Sequence, residues 1–290
     1  MTQVKTLKTA RKTRTNTLQP VRRDLKFNLP AEKISSWNKN SVHLSHFMNT
    51  MSIVFPVGER FFIQSVRNYR DQITDPELQK AVTGFIGQEA MHGREHEEYN
   101  EALFARTPSA KKFEDHIARL LGWAQKNLPE SAQLSATIAL EHFTAIMADA
   151  LLKNPKLLED TDPRFAALWN WHALEETEHK AVAFDVWETV MGRGPRAYVE
   201  RAGGLLIATA IFWYKIFPTY VRILRDEGKL GDLQGWGVWF NYSLGRVGFL
   251  RKLVLPWADY FRPNFHPWDH DNRHFLKQME TVLEPLKAAA

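Results

Sequence analysis

Gly87–His96 reads GQEAMHGREH, and the Glu89-x-x-His92 inside it governs how the rest of the chain is interpreted. Residues three apart share one face of a helix, so Glu89 and His92 aim a carboxylate and an imidazole in the same direction. Their row continues through Val82, Phe85 and His96, a pattern that otherwise reads as core. Ionised carboxylates are almost never buried unless they are paired or bound to metal. One such motif arises easily by chance on a charged helix. A second stands in EETEHKAVAFDV, Glu175–Val186, where Glu176 and His179 continue the row Leu168, His172, Ala173 and Ala183.

Two lone acids carry the same anomaly. Glu59 lies in FPVGERFFI between Phe55 and Phe62, and Glu141 lies in SATIALEHFTAIMADA on a face with Leu134, Ile138, Ala145 and Ala148. One Glu from each of two helices, with Glu-x-x-His from each of two others, is the ligand inventory of carboxylate-bridged dimetal bundles. Spacing tests this independently. Asp75-Pro76 and Asp162-Pro163 are N-cap and first-turn signals for two helices. Glu89 and Glu176 each fall about 13 residues, or roughly 20 Å, into the helix so opened. Glu59 and Glu89 are equidistant from Thr74, and Glu141 and Glu176 from a point between Pro155 and Pro163. Both antiparallel hairpins then carry their ligands at mid-height.

The remaining periodicity places a first helix from about Leu44 past Tyr69, a second from Pro76 to about Phe104, and a crossover helix near Ala110–Asn127. A further helix runs from Pro129 to about Lys153, and a long one from Pro163 to near Gly192. An apolar helix from Pro195 is interrupted at Pro218, and the last helix begins near Asp271. No stretch alternates as a strand. The expected fold is all-α: a four-helix bundle with a crossover helix and additional C-terminal helices. Residues 1–29 are expected to form a flexible basic arm, and residues 30–290 a single metal-binding domain. Its bundle core spans about 44–192 and its helical, aromatic extension about 195–290.

Four carboxylates and two neutral imidazoles balance two divalent cations, and nitrogen–oxygen ligation suits iron, with manganese or zinc as alternatives. The expected metal ligands and catalytic residues are Glu59, Glu89, His92, Glu141, Glu176 and His179. His96 and His172, one turn from the two motifs, stand as a seventh ligand or as hydrogen-bonded support. His142 should face away. Glu95 and Glu175 read as solvated flank acids, and Thr144 as a hydroxyl bonded to its own helix backbone. Gly84, Gly87 and Gly93 read as close-packing positions.

With those residues in hand, the chain resembles the ferritin-like di-iron carboxylate superfamily. More narrowly it is similar to a bacterial family of predicted metal-dependent hydrolases. The resemblance spans roughly Pro30 to Leu276 and is carried by GERFF (Gly58–Phe62), GQEAMHGREH, ALEHFT (Ala139–Thr144), EETEHKAVAFDV and FRPNFHPWD (Phe261–Asp269). It implies a metalloprotein with a ferritin-like bundle. Three functions follow. The leading expectation is a di-iron oxidase or oxygenase using O2 on an apolar or amphipathic small molecule, fed by an external electron donor. The alternative is a dimetal hydrolase with a metal-activated water. Non-catalytic iron handling is the third, disfavoured by the C-terminal additions.

Composition bounds the rest. The absence of cysteine removes disulfides, thiolate-bound zinc, iron–sulfur clusters and a thiol nucleophile, and suits a reducing cytoplasm. The net charge of +5 is a local matter: residues 1–23 carry seven basic residues and no acid, leaving −2 for the remainder. That arm reads as solvated, with no specific nucleic-acid partner. The longest uncharged apolar run, Ala202–Tyr214, falls short of the roughly 20 residues that span a bilayer. It reads as a buried or interfacial helix, leaving peripheral membrane contact open. The aromatic load of Gly235–Leu250 reads as core shared with the bundle or a homodimer interface, and an apolar tunnel for a long-chain substrate is its sharper reading. His266, His270 and His274 read as a closing loop, since Pro267 breaks their helical register.

Overall fold

The computed structural model describes residues 18–39 and 41–287, and among these it is all-α. Its helices are α1 Val42–Arg67, α2 Pro76–Arg106, α3 Pro108–Asn127, α4 Glu130–Leu152, α5 Pro163–His179, α6 Val182–Met191, α7 Pro195–Asp226, α8 Leu233–Ser243, α9 Val254–Asp259 and α10 Met279–Lys287. The starts follow side-chain chemistry. Ser41 Oγ accepts from the His43 amide, Asp75 from Glu77 and Asp162 from Arg164, the last two with proline at the first helical position. α1 pairs most extensively with α2, and α4 with α5, giving two hairpins; α3 doubles back along α1 between them.

Apolar side chains divide into two buried clusters. One holds Phe47, Met48, Met91, Phe143, Trp169 and Trp171, and the other holds Phe62, Val66, Val82, Phe85, Leu134 and Val186. On α1, α2 and α4 the sequence passes from one cluster to the other across Glu59, Glu89 and Glu141. The Glu176–His179 turn does the same between α5 and α6. The acids therefore form a polar layer sealed from water above and below.

Three sequence expectations are corrected. The helix opened by Pro163 does not continue to Gly192 but breaks at Lys180 and Ala181. Lys180 is buried and donates its Nζ to the His270 carbonyl (2.6 Å) and Asn272 Oδ1 (2.7 Å), so the C-terminal segment sets the break. Conversely, α7 runs through Pro218 without interruption. The carbonyl that loses its donor there belongs to exposed Tyr214, where water can serve it. Residues 18–29 are also not a free arm: Phe27 is buried against Trp171, and a Cβ on Gly84 would stand 2.2 Å from the Pro20 carbonyl oxygen. The more strongly basic residues 1–17 lie outside the described residues.

By length and composition alone, α4 and α7 are each long and apolar enough to cross a membrane; the apolar window of α4 is mostly buried, whereas little of that of α7 is buried. Trp239 and Tyr242 of α8 join the core, with Trp239 stacked on Tyr220 and edge-on to Phe47, while Phe240 is exposed. His266 caps a 3-10 turn and meets Asp185 at 2.9 Å, in a loop that closes the bundle.

Candidate metal centre

Pro56 sets the local backbone of the site. Lacking an N–H, it leaves the Ser52 carbonyl of α1 without its helical donor. Asn100 Nδ2 of α2 supplies one at 2.9 Å. That bond fixes the orientation of the Asn100 amide, whose Oδ1 accepts from Ser52 Oγ at 2.7 Å. Ser52 Oγ then accepts from His96 Nδ1 (2.8 Å), and His96 Nε2 accepts from His172 Nδ1 (2.8 Å). The polarity of this chain leaves a lone pair on His172 Nε2, directed at Glu176 Oε1 3.1 Å away.

The two motif histidines are oriented in the same fashion. His92 Nε2 donates to Glu175 Oε2 at 3.0 Å, freeing Nδ1. His179 Nδ1 donates to Gln88 Oε1 at 3.1 Å, and Gln88 Nε2 in turn donates to Glu178 Oε2 at 2.6 Å. Both supports meet at Arg23, which bonds Glu175 at 2.8 Å and Glu178 at 2.7 Å. Trp171 and Phe85 close edge-on against His92 and His179.

The free atoms converge. Ligand-type atoms of Glu59, His92 and His172 lie within 4.8 Å of one another, as do those of Glu89, His92 and Glu176, and those of Glu89, Glu141 and His179. All six residues singled out in the sequence are brought together, with His172 as a seventh. His96 stands one bond behind. Both carboxylate oxygens of Glu59, Glu89 and Glu141, together with His92 Nδ1 and His179 Nε2, are buried without a hydrogen-bond partner. His179 Nε2 stands 3.1 Å from Glu89 and 3.6 Å from both Glu141 and Glu176, within ion-pair distance but out of line for a hydrogen bond. Orphaned buried oxygens are costly. A cation at their common centre removes that cost, so the donor set fits a metal.

Electrostatics agree. Burial pushes the Glu59 and Glu89 carboxyls well above their usual range, with the neighbouring acids adding to it. Burial raises Glu141 to about 8 against the pull of His179. Burial alone would raise Glu176, but the charge on His179 carries it well below the usual carboxylate value. His179 reaches about 9 despite burial, held by Glu176 and Glu141. Burial and the facing imidazoles depress His92 and His96.

Thr144 Oγ1 contacts its own helix at the Glu141 carbonyl (3.0 Å), as expected, and also Glu176 Oε2 (2.6 Å). His142 faces away, bonded to the Pro256 carbonyl. Glu95 and Glu175 are not solvated flank acids. Glu95 is buried on the Phe27 amide and Arg94, and Glu175 on Arg23 and His92. The signal for both lies in residues 18–29, far off in sequence. Because Arg23 holds both histidine supports, Arg23→Met should weaken metal binding about 10–100-fold, read by competition with a chromophoric chelator. An unchanged affinity would remove Arg23 from the site's architecture.

No curated protein and no solved structure matches the chain, so the ferritin-like relationship rests on the residue pattern alone. A family model described as predicted metal-dependent hydrolase matches residues 21–271. This overturns the reading of the centre as an O2-using oxidase or oxygenase, because hydrolysis consumes water and needs neither O2 nor reductant. The buried Glu and His groups and the family together make this a metal-dependent protein, and the chain belongs to the family of predicted metal-dependent hydrolases.

Proposed function

We propose that the protein is a dimetal hydrolase in which Glu59, Glu89, His92, Glu141, Glu176, His179 and His172 hold two divalent cations. The observation that carries this reading is the convergence of six orphaned carboxylate oxygens with two orphaned imidazole nitrogens in one buried layer. An oxygen-rich set with imidazoles suits Mn(II), Fe(II) or Zn(II), and four carboxylates neutralise two divalent ions. When bound, such a pair supplies Lewis acidity that makes water a nucleophile near neutral pH and polarises the bond to be cut.

The side chains have separable tasks. Gln88 and Glu175 fix the tautomers of His179 and His92, and the Asn100–Ser52–His96 relay fixes that of His172. Glu59 lines an apolar groove leading to the surface and makes no hydrogen bond, so its free oxygen is placed to take a proton from the attacking water. The same proton passes to the leaving group as the acyl–oxygen or acyl–nitrogen bond breaks, which balances the reaction. Thr144 holds Glu176 in place beside it.

Chelated protein reloaded with Mn(II), Zn(II) or Fe(II) under argon should hydrolyse a neutral chromogenic ester such as p-nitrophenyl butyrate, and lose that activity on renewed chelation. Failure to bind any of the three metals, or turnover that appears only when O2 is admitted, would refute the proposal.

A further inference from the structure

The geometry points to the groove between α1, α3, α4 and α7 as the seat of a single hydrocarbon chain, so that the substrate is a long-chain ester or amide. This assignment rests on the hydrolase reading for its head group and on the groove itself for its chain. The groove encloses about 520 Å³, within the roughly 300–1,000 Å³ of small-molecule sites. Phe62, Leu121, Ala136, Leu140, Phe143 and Phe212 wall it. Of the polar residues along its walls, Gln133 donates to the Gln125 and Leu128 carbonyls, Ser135 to the Glu200 carbonyl and Lys215 to His116 Nε2, and the carboxylate-bearing Glu200 lines it as well. Its inner end is Glu59 and Thr144, which belong to the acidic layer. Its mouth is open, with the apolar side chains Trp123 56%, Val199 66% and Ile207 63% exposed. An apolar channel that starts in water and ends on the reacting groups fits a molecule with a long apolar tail and a hydrolysable head.

Two glycines support this use. A glycine inside a helix is destabilising relative to alanine, so it is kept where packing or open space demands it. Gly204 is demanded, because its Cβ would stand 2.2 Å from Ser135 Oγ. Gly203, next to it in α7, would meet nothing within 4 Å, and Gly58 in α1 would meet only the Phe62 ring edge at 4.0 Å. Both line the groove. What their missing side chains provide is room.

The test uses chelated full-length protein, so that binding is read apart from hydrolysis, and the neutral fluorophore N-phenyl-1-naphthylamine, which the acids do not repel. Its emission should rise with one site per chain and be reversed by myristyl alcohol but not by butanol. Gly203→Leu should weaken probe binding at least tenfold while metal stoichiometry stays unchanged, and Gly58→Leu should do the same from the inner end. Gly122→Leu, on the exposed side of α3 where a Cβ also meets nothing, is the control and should bind as wild type. No probe binding by wild type, wild-type affinity in both groove variants, or a dimer that shuts the probe out would each overturn the assignment. Chain binding without ester hydrolysis under any metal would instead leave the groove intact and sink the proposed reaction.

Discussion

Glu141→Gln is expected to make the metal-stripped protein more stable than wild type while removing one of the two metals proposed for the centre. Glu141 is buried, has no hydrogen-bond partner on either oxygen, and has its carboxyl raised to about 8. At neutral pH the unfolded chain releases that proton and the folded chain retains it, at a cost of about 1.4 kcal/mol for each unit by which the pH exceeds the ordinary carboxyl value. Glutamine occupies the same volume with no charge to neutralise. After allowance for the lost attraction to His179, a gain of about 2 kcal/mol is expected, read as a rise of several degrees in the melting temperature of chelated protein. Metal analysis of the reloaded variant should show about one ion fewer per chain. Destabilisation of the chelated variant, or unchanged metal content, would count against placing Glu141 in the centre. The opposition of sign is what separates a binding site from a structural polar cluster: residues placed for a ligand cost stability in its absence.

The second expectation concerns pH. Glu141 rises to about 8 and His179 to about 9 in the folded protein, so across pH 6.5 to 8 each holds a proton that the unfolded chain has lost. The folded state then binds more protons, and stability of the chelated protein falls as pH rises, by about 1.4 kcal/mol per unit for each proton held. Below pH 6.5 the trend is opposed, because burial keeps His92 and His96 neutral where the unfolded chain would charge them. Metal loading should abolish the slope above 6.5, since ligands bind deprotonated. For the same reason apparent metal affinity should climb about tenfold per pH unit for each proton displaced. Thermal melts of chelated and loaded protein across this window, with calorimetry in buffers of different ionisation enthalpy, measure both. A chelated protein whose melting point is flat from 6.5 to 8 would show that these groups do not titrate as their surroundings require.

The candidate site was readable in the sequence because the residues that converge there obey local rules. Glu89–His92 and Glu176–His179 are fixed by helical spacing, and Glu59 and Glu141 betray themselves as acids inside apolar rows. The Asp75-Pro76 and Asp162-Pro163 starts locate the turns that set the heights. What escaped was set by distant partners. Glu175 and Glu95 look like ordinary helix-surface acids until Arg23 and the Phe27 amide arrive from residues 18–29. The break after His179 has no glycine or proline to announce it, because Lys180 is held by Asn272 and the His270 carbonyl. Gly84 and Gly87 were legible as packing positions, yet nothing near them names Pro20 and Arg22 as what packs there. Nor does local pattern distinguish Gly203 from Gly204, although one faces open space and the other a serine.

Arg23 also has a consequence for the order of events in the cell. It lies 152 residues before Glu175, so the clamp behind the imidazoles joins a segment translated early to one translated late. Until α5 has left the ribosome, the chain can offer a metal only Glu59, Glu89, Glu141 and an unclamped His92. Tight loading must then wait for α5, and a nascent chain stalled before residue 163 should surrender its metal to a weak chelator that the finished protein resists.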